Sequence, residues 1–112
     1  MPTAFADEAV RIHAEAHLSD EVIAEAVGAA PSTVREWLSG RSSPTGARAR
    51  RLADLVAITD RLARVIDARY IPVWLLEPIE ALDDDRPIEL IASGQARRVA
   101  RAISGLESPG AS

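Results

Sequence analysis

Two short helical patterns separated by a tight break constrain the fold of this chain more than any other feature. The first follows Ser19, a residue type that caps helix N-termini, and ends at Gly28, which suits the left-handed conformation of a helix C-terminus. The second begins at Pro31, because proline is favoured at the first helical position, and runs to about Ser39. Two short helices joined by such a turn form a helix-turn-helix unit.

Apolar residues at helical spacing continue along the rest of the chain. They predict a first helix over residues 4–16, a long helix that starts at Ala47 and continues for about six turns, and a last helix over residues 95–104. Prolines divide the intervening segment into short helical pieces, because proline starts helices well and interrupts them. No stretch alternates apolar and polar residues long enough to form a strand, so we predict an all-α fold.

The same spacing assigns individual side chains. On the long helix, Asp60 and Arg64 are expected to pair at i,i+4. The residues that we expect to be buried on the second, third and last helices are Val22, Ile23, Ala26, Val27, Val34, Leu38, Val99, Ile103 and Leu106, with Trp37 alongside.

Composition limits the class of protein. The length of 112 residues fits one compact domain, or one domain with a short appended module. The sequence has no cysteine, which excludes disulfides and thiolate metal sites. No apolar run approaches the ~20 residues of a membrane span. Acidic residues near the start argue against a secretory signal. We therefore expect a cytoplasmic protein that does not contact a membrane.

Charge is unevenly distributed along an acidic chain. The formal net charge is −4 overall, yet residues 35–51 contain five Arg and one Glu, a local charge of +4. This basic segment coincides with the second helix of the unit and the loop behind it. The second helix of a helix-turn-helix enters the major groove, and Arg can bind guanine or phosphate. The candidate DNA-binding residues are therefore Ser32, Thr33, Arg35, Arg41 and Arg48.

A helix-turn-helix can also serve only as a way to pack short helices. Glu36 favours this alternative because phosphates repel a carboxylate, although Glu can accept a hydrogen bond from cytosine. Ala30 favours it as well, since it stands where a side chain could cap the second helix and contact phosphate. The sequence leaves both alternatives open.

Catalytic and metal chemistry is not indicated. His13 and His17 lie one helical turn apart, but no third ligand follows and the HExxH pattern is missing. The acidic run 83–85 lacks the spacing and the distal Glu of an EF-hand loop. There is no nucleophile elbow and no glycine-rich phosphate loop. We predict a non-enzyme without cofactor or metal.

Most of the chain resembles one family of bacterial regulators. Residues 19–46 resemble an Xre-type helix-turn-helix. The segments "RRLADLVAITDRLARVI" and "VWLLEPIEALDDDRPIELIASGQARRVARAI" resemble the C-terminal toxin-binding domain of Xre/MbcA/ParS antitoxins. The similarity is carried by Trp74-Leu75, Pro78, Leu82, the acidic turn, Pro87 and Gly94.

The resemblance implies a function as an antitoxin. In that family the partner is a RES-domain toxin that consumes NAD or transfers ADP-ribose, and the antitoxin covers the entrance to its active site. The pair often represses its own operon through the helix-turn-helix. By resemblance we expect a cognate RES-domain toxin as partner, operator DNA as a second partner, and a homodimer within a hetero-oligomer. The alternative is a stand-alone dimeric helix-turn-helix transcriptional regulator.

The resemblance also divides the chain. It implies a helix-turn-helix region over residues 1–46, a linking helix with the toxin-binding domain over 47–106, and a flexible tail over 107–112. The candidate toxin-binding residues are Trp74, Pro78, Asp83, Asp84, Asp85, Arg97, Arg98 and Arg101. A pocket for the pyrophosphate of NAD must carry positive charge, so the run Asp83–Asp85 is a hypothetical attractant for the toxin. The alternative is that this run is only a solvated turn.

Overall fold

The computed structural model describes the backbone of residues 4–108 and the side chains of residues 7–108. Its regular structure is helical, which confirms the all-α prediction, and no strand occurs within the described residues. The helices are α1 (Ala4–Glu15), α2 (Asp20–Val27), α3 (Pro31–Leu38), α4 (Gly46–Leu62), α5 (Ile71–Leu76), α6 (Pro87–Ala92) and α7 (Ala96–Glu107), with 3-10 turns at Ala68–Tyr70 and Glu80–Leu82.

Local signals place the ends of α2 and α3 as predicted. The side chain of Ser19 accepts a hydrogen bond from the Val22 N–H at 3.2 Å, which caps α2. Gly28 ends this helix with a φ of +74°, in the left-handed region that glycine enters without strain. Pro31 begins α3, and Ala30 precedes it in cap geometry without a side-chain hydrogen bond. The turn between the helices is therefore fixed by residue type.

One continuous core joins the two halves of the chain. Helix α4 contacts α1, α2, α6 and α7, and α2 also packs against α6. Most predicted core positions are buried, but Trp37 rather than Leu38 fills the core beneath α3, and Leu106 is 42% exposed. Fully buried large side chains come from both halves, among them Ile12, Leu18, Ile23, Leu52, Leu55, Leu75, Ile88, Ile91 and Ile103.

Helix α4 is shorter than the sequence suggested. It ends at Leu62, and the chain then turns before Asp67. The Asp67 carboxylate accepts a hydrogen bond from the Arg69 N–H at 2.9 Å, a local bond that competes with helix continuation. The predicted pairing of Asp60 with Arg64 is also wrong, because Arg11 of α1 makes a two-pronged ion pair with Asp60 at 2.8 and 3.2 Å.

Ion pairs connect helices that are far apart in the sequence. Arg86 links Glu25 of α2 to Glu89 of α6. Arg61 of α4 donates to both carboxylate oxygens of Glu107 at 2.5 and 3.2 Å, and this hydrogen bonding lowers the pKa of the Glu107 carboxyl. The predicted tail over residues 107–112 thus begins inside α7, while residues 109–112 lie outside the described part of the chain.

Within the described residues, no helix has the length and the apolar character needed to cross a bilayer.

Candidate DNA-binding and partner-binding surfaces

The residues predicted to contact DNA lie on α3 and on the segment that follows it. Ser32 and Arg35 are exposed on α3, whereas Thr33 is half-buried. Arg35 is not free, because its Nη1 atom lies 3.4 Å from Oδ2 of Asp20 at the start of α2. Its side chain remains 57% exposed to solvent.

Three exposed arginines follow Arg35 in the sequence, and we call them the α3–α4 arginines. Arg41 follows α3, and Arg48 and Arg50 lie in the first turns of α4. None of the three is paired with a carboxylate in the part of the chain that the structure describes. Arg50 was not singled out from the sequence, although it belongs to the same basic run. The fifth arginine of that run, Arg51, is half-buried and donates to the Ala92 carbonyl at 3.4 Å.

Glu36 has a structural role that the sequence did not indicate. Its carboxylate accepts a hydrogen bond from the Ser42 hydroxyl at 3.4 Å. Its carbonyl accepts hydrogen bonds from the Ser39 hydroxyl at 3.0 Å and from the Arg41 N–H at 2.9 Å. Glu36 therefore stabilises the turn after α3, which weakens the argument that its charge excludes DNA.

The acidic run between α5 and α6 is a closed turn. The Ile79 N–H donates to the Asp85 carbonyl at 3.2 Å, and the Asp84 N–H donates to the Ile79 carbonyl at 3.0 Å. Asp83 and Asp84 have φ angles of 56° and 65°, in the left-handed region that Asp tolerates better than most residues. The backbone of this turn accounts for two of the three aspartates without any partner protein.

Arg98 of α7 holds this turn in place. It lies 3.4 Å from an Asp83 carboxylate oxygen, 3.6 Å from one of Asp85, and 3.4 Å from the Leu82 carbonyl. The acidic run is therefore partly neutralised within the chain. The candidate residues at 83–85, 97, 98 and 101 together carry no net formal charge, so the hypothesis of an acidic attractant loses much of its basis.

Arg98 and Arg101 border an open hollow of about 330 Å³, which Ala81, Leu82, Asp83 and Ala102 complete. Arg101 is exposed and is not ion-paired within the described residues. Arg97 lies elsewhere, beside a shallow groove of about 180 Å³ between α4 and α7. The structure thus brings Asp83, Arg98 and Arg101 together and separates Arg97 from their hollow.

Helix α5 presents a second surface in the same half of the chain. Trp74 is half-buried and packs against the core, while Pro78 is exposed. Tyr70 and Val73 are large apolar side chains that are 58% and 52% exposed. We call Tyr70, Val73 and Trp74 the α5 apolar surface. The i, i+3, i+4 spacing of these three residues is compatible with a shared helix face. The sequence alone does not show which side of so short a helix faces the core.

The two histidines do not form a metal site. The Nδ1–H of His13 donates to the Leu18 carbonyl at 2.7 Å, and His17 has a φ of 57° where the chain leaves α1. No group of three His, Cys, Asp or Glu side chains is arranged to hold a metal among the residues described. His13 on α1 therefore bonds to the connection between α1 and α2, and His17 lies within that connection.

Comparisons with known proteins agree with this architecture. A family model described as helix-turn-helix matches residues 8–59, which reaches from α1 into α4. The mycobacterial cidal antitoxin MbcA, from Mycobacterium bovis and from two strains of Mycobacterium tuberculosis, is 29% identical over 89 residues, covering 80% of this chain and 79% of the relative. A chain in the crystal structure of the M. tuberculosis MbcT-MbcA toxin-antitoxin complex superposes with a TM-score of 0.82 at 26% identity. The chain is a homologue of MbcA. The superposition covers 93% of this chain and 94% of the other, so the likeness to the MbcT-MbcA structure includes both halves.

Proposed function

We propose that this protein is an antitoxin that binds a cognate RES-domain toxin and neutralises it by covering the entrance to the active site. The observation that carries the proposal is the likeness, along almost the whole chain, to a chain of the MbcT-MbcA toxin-antitoxin complex. The RES class of the toxin rests on the resemblance of the C-terminal segments to Xre/MbcA/ParS antitoxins. In this proposal the protein has no catalytic role and uses no cofactor.

The toxin contact belongs to the C-terminal half, after the division proposed near residue 46. Two features there support a protein partner. The α5 apolar surface exposes Tyr70 and Val73, and exposed aromatic and apolar groups are enriched at the centres of protein interfaces. The hollow beside Arg98 adds an exposed cation, Arg101, at its rim. A toxin with a complementary apolar patch and a carboxylate would fit both features.

The test first determines whether a neighbouring gene encodes a small RES-domain protein, and then co-expresses that protein with the full chain. We expect rescue of growth and a complex that survives co-purification. Val73→Glu places a charge on the α5 apolar surface and should weaken the complex about tenfold or more. Val10→Glu is the matched control, because Val10 is 44% exposed on α1 and lies outside the C-terminal half. Equal behaviour of the two variants would remove the α5 apolar surface from the interface, and failure of rescue would reject the antitoxin proposal.

A truncation after Tyr70 is a poorer test than point variants. Helices α6 and α7 pack against α4, and α6 packs against α2, so their loss would expose buried side chains of the remaining chain. Such a protein would fail to neutralise a toxin even if its contacts lay elsewhere.

A second proposed function is binding of operator DNA by a homodimer within the toxin complex. It is supported by the α3–α4 arginines, which are exposed on the segment after α3 and in the first turns of α4. Arg41→Ala and Arg48→Ala should each weaken binding of a duplex from the region upstream of the gene. Each should also lower the slope of log affinity against log salt concentration by about one, which corresponds to the loss of one phosphate contact. Arg35→Ala should cost about 1–3 kcal/mol if Arg35 contacts a base. Arg64→Ala, the loss of an exposed charge beyond α4, is the matched control.

The alternative of a stand-alone dimeric transcriptional regulator makes a different prediction. Such a protein would bind the upstream duplex with the same affinity in the presence and absence of the neighbouring protein. It would also fail to rescue growth. Growth rescue therefore separates the two functions without requiring DNA binding to be absent.

A further inference from the structure

The arginine best placed to contact a base is held by a carboxylate of its own chain. Arg35 on α3 lies 3.4 Å from Asp20, the first residue of α2, and this pair spans the two helices of the helix-turn-helix. The two side chains differ in accessibility. Arg35 is 57% exposed, whereas Asp20 is 21% exposed.

Asp20 is fixed by its surroundings independently of Arg35. It follows the Ser19 cap, and a carboxylate in the first turn of a helix is stabilised by the partial positive charge of the free N–H groups there. Its other oxygen lies 3.8 Å from Nδ1 of His13 on α1. Asp20 is therefore the less exposed partner with a second neighbour, and Arg35 is the more exposed partner.

This arrangement opposes DNA binding in two ways. In a helix-turn-helix complex the helix before the recognition helix crosses the phosphate backbone, and helix N-termini are common phosphate contacts. In this chain that N-terminus carries Asp20 and Glu21, which repel phosphate. In addition, Arg35 must leave Asp20 before it can reach a base. Asp20 thus acts on DNA both directly and through Arg35.

We propose that Asp20 is a negative determinant of DNA binding that holds Arg35 away from the duplex. The inference rests on the proposed DNA-binding function. A single copy then binds DNA weakly, and binding becomes appreciable only where several copies engage one DNA segment together, since each additional linked contact raises the effective affinity. The ion pair limits affinity without contributing to the core, because neither residue belongs to the buried cluster.

The test compares two substitutions that remove the same charge from the same helix turn. Asp20→Asn should raise the affinity for a labelled duplex from the upstream region about tenfold. Glu21→Gln should raise it about twofold, since Glu21 is exposed and makes no ion pair within the described residues, and only its repulsion of phosphate is lost. The further factor of about five reflects release of Arg35 from a surface ion pair. Thermal melts of both variants check that the fold is kept.

A double substitution separates release of Arg35 from simple charge removal. In an Arg35→Ala background, Asp20→Asn should gain only the twofold effect seen for Glu21→Gln. A full tenfold gain in that background, or equal gains from the two single variants, overturns the inference while leaving DNA binding itself intact. If neither the wild type nor Asp20→Asn binds the upstream duplex at low salt, the DNA-binding proposal and this inference both fail. Growth rescue in the co-expression assay is unaffected by either outcome.

Discussion

Arg98 allows a quantitative test of how the acidic turn is held against α7. Arg98→Ala removes the bonds that tie this turn to a cation within the described residues, namely those to Asp83, Asp85 and the Leu82 carbonyl. Arg97→Ala is the matched control, because Arg97 lies on the same helix, carries the same charge and makes no ion pair among the described residues. The two variants have the same net charge, so a difference in their stability does not come from net charge. It reports the loss of Arg98, which binds the turn.

The size of the effect follows from exposure. The Asp83 side chain is 94% exposed, so its pair with Arg98 contributes almost nothing. The pair with Asp85, whose side chain is 46% exposed, and the bond to the Leu82 carbonyl each contribute about 0.5 kcal/mol. Arg98→Ala should therefore reduce the free energy of unfolding by about 1 kcal/mol. For a chain of 112 residues this corresponds to a fall in Tm of about 4 °C.

The assay is thermal unfolding followed by circular dichroism, first at low ionic strength and then in 1 M NaCl. Arg97→Ala should change the Tm by no more than about 2 °C, as expected for an exposed and unpaired side chain. The deficit of Arg98→Ala should shrink at high salt, because its ionic part is screened. Equal Tm values for the two variants at low salt would refute the argument that Arg98 stabilises the fold by binding the acidic turn.

Further predictions concern the helix ends. Gly28→Ala should destabilise the fold by about 1 kcal/mol because Gly28 has a positive φ. Gly105→Ala should stabilise the fold by about 0.5–1 kcal/mol, because Gly105 lies inside α7 with open space around it. Chemical denaturation measures both changes, and changes of the same sign would contradict this explanation. Ala30→Ser should add the missing cap of α3 and raise stability by about 1 kcal/mol, and an unchanged denaturation midpoint would count against it. Arg61 lowers the pKa of the Glu107 carboxyl in the folded protein. The contribution of this pair to the free energy of unfolding is therefore complete above 4.5, the ordinary pKa of the carboxyl, and is lost as the pH falls through the lowered pKa of the folded state. Glu107→Gln should therefore melt below the wild type at pH 7 and together with it in strong acid, and a difference that persists in acid would point to another cause.

Local features of the fold could be predicted from the sequence, and long-range contacts could not. The Ser19 cap, the Gly28 stop and the Pro31 start are determined by neighbouring residues, and all three appear in the structure as predicted. By contrast, Asp60 pairs with a residue 49 positions away instead of its helical neighbour. Helical periodicity describes one helix at a time, so it cannot choose between a partner on the same helix and one on an adjacent helix.

The candidate surfaces show the same limit. The basic run over residues 35–51 indicated a DNA-binding surface, but the sequence could not tell that Asp20 restrains Arg35 or that Arg51 belongs to the packing around Ala92. The acidic run looked unpaired because Arg98, its partner, follows at least 13 residues later. Charge counted along the chain therefore overestimates charge displayed on the surface.

The contact of α2 with α6, bridged by Arg86 and Glu25, limits how such a protein can be recombined. A chimera that grafts this carboxyl-terminal half onto a foreign DNA reader would juxtapose α6 with an unmatched helix. To keep this contact it would also carry the residues of α2 that pack against α6, and an acid opposite Arg86 would keep the ion pair. We therefore expect residues on the facing sides of α2 and α6 to tolerate substitution better together than one at a time.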